Sequence, residues 1–342
     1  MRTTQIRLAA RPEGEPEDGC FETVQVELPD LRDGEVLLRV VYLSLDPYVR
    51  GRMSSARSYA APMELGDVVV GGTVCQVVAS RAPEVPEGAF VLSYSGWQTH
   101  AVAPARAVRR LDPAAAPVST ALGVLGMPGF TAYAGLLEIG RPQPGETVVV
   151  AAATGPVGSA VGQIARLKGA RAVGIAGGPV KCRALLDEFG FDAALDHRSP
   201  RFVADLKAAV PNGIDVYFEN VGGPVLSAVV PRLNTYARVP VCGLIAQYNG
   251  TAPVPTSDRL AWFLSQVLTR SLTVRGFIQD EFTRSHGRDF VRDMTGWVRD
   301  GSVRYREDVV QGLERAPEAF RGLLRGANFG KLLVQVGEDP TR

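Results

Sequence analysis

The stretch TVVVAAATGPVGSAVGQIARLKGARAVGIAGGPVK, residues 147–181, limits the possible folds of this chain more than any other. Residues 147–151 are a short apolar run of the kind that a strand buried on both faces shows. Gly155 and Gly158 follow at once, and Val157, Val161, Ile164 and Leu167 then recur at the spacing of one helix face. A second apolar run at 172–176 completes strand, glycine turn, helix and strand. The absent side chains at Gly155 and Gly158 let a pyrophosphate approach the backbone, where a helix start offers N–H groups and the positive end of its dipole. A glycine pattern alone is a weak signal. Its place between strand and helix separates a dinucleotide-binding turn from an ordinary tight connection.

The end of the second run bears on which dinucleotide is bound. An NAD enzyme usually places Asp or Glu about 20 residues beyond the glycines to hold the ribose hydroxyls. Here residues 177–181 read Gly-Gly-Pro-Val-Lys, with Arg183 close behind and no carboxylate at the tip. An ammonium pairs with a 2′-phosphate that a carboxylate would repel, so Lys181 favours NADP over NAD. A lysine opening a helix is also common as a plain solvated residue.

Residues 3–122 are rich in short strands and turns, with strands expected at 35–45, 68–78 (interrupted by Gly71-Gly72) and 89–92. That spacing suggests a compact, barrel-like β domain. A glycine-rich and then helical crossing segment occupies 123–140. Beyond it, strands expected at 147–151, 172–176, 193–195, 215–218, 238–241 and 272–277 alternate with helices at 179–189, 201–210 and 258–269. Six strands so linked suit a doubly wound parallel sheet, an α/β architecture. Pro240 requires a bulge or a strand end, because proline avoids strand interiors. From about residue 302 the pattern returns to strand, helix and strand, and the apolar run 332–336 is placed to rejoin the first domain.

With 342 residues, 46% hydrophobic and 21% charged, the chain can form two ordinary globular domains. A net charge of +1 argues against a nucleic-acid or acidic-membrane footprint. No apolar run approaches the ~20 residues of a membrane span, and the first residues do not read as a secretory signal, so a cytoplasmic enzyme is expected. Cys20, Cys75, Cys182 and Cys242 are scattered, and His100, His197 and His286 show no ligand spacing to them or to one another. No metal site is therefore expected.

The chain resembles the zinc-independent branch of the medium-chain dehydrogenases/reductases, the group of prostaglandin reductases, leukotriene hydroxydehydrogenases, 2-alkenal reductases and bacterial curcumin reductases. The residues that carry the likeness are LSLDPYVRGR at 43–52, MPGFTAY at 127–133, the 151–158 turn, ENVGG at 219–223, CGLI at 242–245 with Tyr248-Asn249, and NFGK at 328–331. The resemblance implies a GroES-like β-rich catalytic domain over 1–124, completed by 302–342, and a Rossmann NADP-binding domain over 125–301. It also implies a homodimer and NADPH-dependent reduction of a carbon–carbon double bond conjugated to a carbonyl. Gly155, Pro156, Val157 and Gly158 then form the pyrophosphate turn, and Lys181 is the 2′-phosphate lysine. At His197 some members have a tyrosine that touches the same phosphate. Here Asp196-His197-Arg198 departs from that form, so either His197 or Arg198 substitutes electrostatically or the segment is a solvated loop. Asn220, at the carboxyl end of a strand, is expected at the cofactor, as is the loop Cys242, Gly243, Leu244, Ile245 and Tyr248. Phe277, Ile278 and Gln279 correspond to the segment whose backbone meets the nicotinamide amide, and Asn328 to a residue reaching the cofactor from the last domain.

Hydride addition to the β-carbon of an enone or enal leaves negative charge on the carbonyl oxygen, which needs a donor beside it. Without a ligand set for zinc, a hydroxyl must serve. Tyr248 is the first candidate, because a phenol of pKa ≈ 10 donates a hydrogen bond without ionising near neutrality. Tyr59 is second and Tyr48 third, each with core packing as the plainer alternative. A quinone or carbonyl reductase, or a non-catalytic NADPH-binding protein, would need the same nucleotide site.

Overall fold

The computed structural model describes residues 1–56, 58, 60–250 and 259–341. The chain divides into two compact units. One comprises Met1–Gly123, Tyr248–Gly250 and Glu307–Arg342; the other comprises Val124–Gln247 and Thr251–Arg306.

The second unit contains β1 (Thr147–Val150), β2 (Arg171–Ala176), β3 (Ala193–Asp196), β4 (Ile214–Phe218), β5 (Leu233–Val241) and β6 (Thr273–Gly276). They form one sheet in the order β3-β2-β1-β4-β5-β6, and every neighbouring pair is parallel. All four residues of β1 are buried, because helices on both faces of such a sheet leave no solvent side for polar alternation. Val149, Val173, Ile175, Tyr217 and Val239 are among the strand residues of one core, which also takes in Phe202, Leu206, Val225 and Val229. Strand order reverses between β1 and β4. That reversal opens the crevice where doubly wound sheets take ligands.

Local chemistry sets the element ends. The helices Pro156–Leu167 and Pro179–Asp187 both open on proline, whose missing N–H costs nothing in a first turn. The crossing segment is helical over Met127–Ala134 and continues as a π-helical turn over Gly135–Gly140. Pro240 is the last but one residue of β5, and its carbonyl accepts the Glu219 amide at 2.9 Å. The helix expected to start at 258 begins at Arg259 among the described residues.

In the first unit, Arg2–Leu8 pairs antiparallel with Phe21–Glu27. A larger sheet runs Glu307–Gln311, Lys331–Gln335, Glu35–Ser44, Thr73–Ser80, Phe90–Ser93, Arg109–Leu111, with His100–Pro104 also on Glu35–Ser44. The strand expected over 68–78 starts only at Thr73. At Gly71 a Cβ would stand 2.9 Å from Leu43 Cδ1 and 3.2 Å from the Ser44 carbonyl, so the backbone there is too close to its neighbours to carry side chains. Trp97, fully buried, stacks on Phe21 at 5.6 Å and meets Phe320 edge-on at 5.8 Å. The buried Lys331 ammonium donates to the Leu45 carbonyl at 2.8 Å and to Asp46 Oδ1 at 2.9 Å, while Ser44 Oγ donates to Asp46 Oδ2.

Candidate active site

The carboxyl edge of the parallel sheet is built by turns that bond one another. Beyond β1, the Ala151 amide donates to the Phe218 carbonyl at 3.1 Å and the Ala153 amide to the Ile175 carbonyl at 2.9 Å. The chain thus stays seated on both neighbouring strands as it turns. Ala152 takes φ +50°, an unusual conformation for a residue with a side chain, and its carbonyl accepts the Gly155 amide at 3.0 Å. At Gly158 a Cβ would meet the Ala152 carbonyl oxygen at 2.5 Å and Ala153 Cα at 2.7 Å, so only glycine lets the helix close on the turn. At Gly155 a Cβ would find only the Ala152 oxygen, at 3.3 Å. That side of the turn is open, and the first-turn amides of Val157 and Gly158 have no acceptor within the helix by geometry. Gly155, Pro156, Val157 and Gly158 therefore fit a pyrophosphate.

The end of β2 faces the end of β3. Asp196 Oδ1 accepts the Gly178 and Arg198 amides, both at 2.9 Å, and the Gly178 amide holds its carboxyl below the usual range. This Asx-type fold turns two side chains over Gly177. A Cβ there would lie 3.0 Å from His197 Nε2 and 3.0 Å from Arg198 Nε. Burial holds the His197 imidazole below its ordinary pKa; Arg198 and Lys181 push the same way, while Asp196 opposes them. His197 and Arg198 thus lie over Gly177 at the tip of β2, with Lys181 near enough to act on the imidazole. Three cation-capable groups gathered there fit a 2′-phosphate better than a bare ribose. Arg198 is the residue that sequence reasoning left least defined; its only signal was the run Asp-His-Arg after a strand.

Asn220 leaves β4 with its side-chain amide donating to the Ala151 carbonyl at 2.8 Å, which ties the β4 turn to the β1 turn. The loop after β5 closes on the same turn. The Cys242 and Gly243 amides donate to the Glu219 carbonyl at 2.9 and 3.2 Å, and the Ile245 amide to the Asn220 carbonyl at 3.3 Å. Leu244 leans on Gly222, where a Cβ would lie 3.2 Å from Leu244 Cδ2. Burial pushes the Cys242 thiol up to about 12, so it stays a neutral wall. Phe277 is buried edge-on against Phe218 at 6.2 Å. Its side chain packs the core and its amide donates to the Val241 carbonyl at 3.4 Å, which leaves its carbonyl for any cofactor contact. The Ile278 amide donates to Glu281 Oε1 at 2.9 Å, and Gln279 bonds Asp280.

The remaining candidates lie in the first unit. Tyr48 opens the short helix Tyr48–Arg52 and packs, half-buried, against that unit's core. Asn328 donates to the Gly330 carbonyl at 2.8 Å. Tyr248 is half-buried and groups with the first unit rather than with the loop that precedes it. Tyr59 lies outside the described residues. Among the described residues, no group of three or more His, Cys, Asp or Glu is placed to hold a metal ion.

Residues 4–111 match a family described as N-terminal domain of oxidoreductase, and residues 156–292 one described as zinc-binding dehydrogenase. The chain is 51% identical over 341 residues to the NADPH-dependent curcumin reductase of Escherichia coli (strain K12), covering 99% of this chain and 98% of that one. It is 40% identical over 328 residues to prostaglandin reductase 1 of Rattus norvegicus, covering 95% and 96%. The crystal structure of CurA in complex with NADPH from Vibrio vulnificus superposes with a TM-score of 0.94 at 51% identity, over 98% of this chain and 100% of that one. The chain belongs to the zinc-independent medium-chain dehydrogenases/reductases, in the group of the curcumin and prostaglandin reductases.

Proposed function

We propose that this chain is an NADPH-dependent reductase of the carbon–carbon double bond in α,β-unsaturated ketones and aldehydes. The observation that carries the cofactor half is the convergence of His197 and Arg198 on Gly177, within electrostatic reach of Lys181 and beside an open glycine turn. Kinship with an NADPH-dependent curcumin reductase carries the substrate half. NADPH, when bound, supplies the hydride for the β-carbon. The chain's part is to anchor the phosphates at 155–158 and 177–198, to hold the nicotinamide end against the 242–245 and 277–279 backbone, and to donate a hydrogen bond to the carbonyl oxygen. Tyr248 Oη is our choice for that donor, with Tyr59 and Tyr48 as walls of the substrate site and Asn328 as a further cofactor contact. Water then protonates the α-carbon.

A homodimer and a cytoplasmic location belong to the same reading. The edge strand β6 is exposed at all four residues, and the nearby helix Arg259–Thr269 exposes Leu260, Trp262, Leu264 and Leu268. Such an edge and apolar face are covered most simply by a second copy. Among the described residues no helix is long and apolar enough to cross a membrane, and the four cysteines are unpaired.

The test is a panel of simple enones, enals, quinones and saturated ketones, each incubated with NADPH or NADH and scored by product mass. A saturated ketone formed with NADPH in preference to NADH supports the assignment. Hydroquinone or alcohol as the main product, or no NADPH oxidation at all, refutes it.

A further inference from the structure

Three of the turns assigned to the dinucleotide are tied together around Glu219, through its backbone and through Asn220 beside it, and its buried carboxylate, which has no role in the assignment above, holds the 219–223 turn itself. We propose that Glu219 is a positioning residue that holds the 151–158, 219–223 and 242–247 turns in the arrangement that accepts the dinucleotide, a role that rests on the nucleotide site described under Proposed function. Glu219 is 1% exposed, directly beyond the end of β4. Its Oε1 accepts the Val221 amide at 2.5 Å and the Gly222 amide at 2.8 Å, and its Oε2 accepts the Tyr217 hydroxyl at 3.1 Å. Its own carbonyl accepts the Cys242 and Gly243 amides, and its amide donates to Pro240. One residue therefore bonds β4, its following turn and the loop after β5, and Asn220 beside it carries the link on to Ala151.

Such a placement is costly unless it is used. Among the described residues no lysine or arginine forms an ion pair with Glu219, and a buried carboxylate without a cation is expensive. An apolar residue would pack more cheaply but would leave two successive amides of a tight turn without acceptors. That turn bends through Gly222 at φ +77° and Gly223 at φ +57°. Burial raises the Glu219 carboxyl above its ordinary range, against the Val221 and Gly222 amides, the Tyr217 hydroxyl and the Asn220 amide. The titratable groups facing it are the Tyr217 phenol and the Cys242 thiol, both pushed upward chiefly by burial, so both stay neutral in acid. Stability and binding then respond to pH in opposite senses. A raised folded-state pKa stabilises the fold below the ordinary carboxylate value, and that contribution is lost as pH rises through the raised one. Dinucleotide affinity instead weakens as pH drops through the same window, because the protonated carboxyl offers the two amides a neutral acceptor oxygen in place of a charged one.

The experiment is NADPH titration by fluorescence for wild type, Glu219→Gln, Glu219→Ala and Tyr217→Phe, with melting temperature and circular dichroism alongside. Glu219→Gln keeps one oxygen for both amides and can donate to the Tyr217 oxygen, so its affinity at pH 7.5 stays within about threefold of wild type. Glu219→Ala is expected to bind about tenfold more weakly, and Tyr217→Phe about threefold. As pH drops through the raised carboxyl pKa the ratio of Glu219→Gln to wild-type Kd is expected to fall from about threefold toward one, because the protonated carboxyl and the amide both offer one neutral acceptor oxygen. His197 and the cofactor's own phosphate titrate in both proteins and cancel in that ratio. Should Glu219→Ala not fold, Tyr217→Phe and the pH ratio decide. Wild-type affinity in folded Glu219→Ala, or a flat ratio with unaltered Tyr217→Phe, overturns the proposal. Failure of wild type to bind NADPH overturns the proposed function instead.

Discussion

Replacing Lys181 by alanine tests the cationic cluster most directly. A hydrogen bond between charged groups contributes about 1.5–3 kcal/mol, and a half-buried lysine belongs at the low end because solvent screens it. A loss of about 1.5 kcal/mol is roughly a tenfold rise in the NADPH Kd at pH 8. NADH has no 2′-phosphate, so its Kd should move by less than about twofold. The neighbouring histidine makes the prediction sharper. His197 is held below its ordinary pKa by burial, by Arg198 and by Lys181, so it is neutral at pH 8. An arriving phosphate dianion favours the imidazolium, and removal of Lys181 takes away one of the charges opposing it. His197 therefore compensates in the variant as pH falls through its range. The tenfold penalty at pH 8 should shrink to about threefold near pH 6. Because the cofactor phosphate titrates equally with both proteins, the ratio of Kd values isolates the protein's contribution. The assay is fluorescence titration at constant ionic strength. Equal losses for NADPH and NADH, or a ratio independent of pH, would refute the clustering of these three residues on one phosphate.

Three further outcomes follow from the same geometry. Tyr248→Phe should lower kcat for enone reduction by roughly tenfold to a hundredfold while the NADPH Kd stays within about twofold, measured by steady-state kinetics and titration; unchanged turnover removes this phenol from the chemistry. Gly158→Ala puts a methyl 2.5 Å from the Ala152 oxygen, so the turn must open, and NADPH binding should weaken by about tenfold with a lower melting temperature. Lys331→Ala leaves the Asp46 carboxylate buried without its cation, which should cost about 3–5 kcal/mol of stability in chemical denaturation; a loss under about 1 kcal/mol would mean water replaces the ammonium freely.

Much of the parallel sheet was legible because strands buried on both faces appear as unbroken apolar runs, TVVV at β1 being the clearest. The glycine turn was legible for a related reason: Gly155 and Gly158 stand where any Cβ would meet backbone or anion. Lys181 could be found from its distance to those glycines. The convergence of His197 and Arg198 on Gly177 could not, since nothing in the residues between β2 and β3 announces that Asp196 will cap Gly178 and turn its neighbours inward. Glu219 lies within ENVGG, yet the bonds that seat it come from Pro240, Cys242 and Gly243 at the end of β5, which nothing in that motif announces. Strand ends moved where backbone approached backbone, as at Gly71, a steric fact with no periodicity to reveal it.

The sheet of the first unit uses Glu35–Ser44 as a central strand, yet its neighbour is Lys331–Gln335, and the ammonium that neutralises Asp46 lies 285 residues further along the chain. A ribosome must therefore release every strand of the nucleotide unit before that sheet can close. Synthesis imposes a schedule: the dinucleotide half matures first, and the earlier half waits with an open edge. Nascent chains stalled late should accordingly display a protease-resistant middle flanked by a digestible start, and should be the species that chaperones hold.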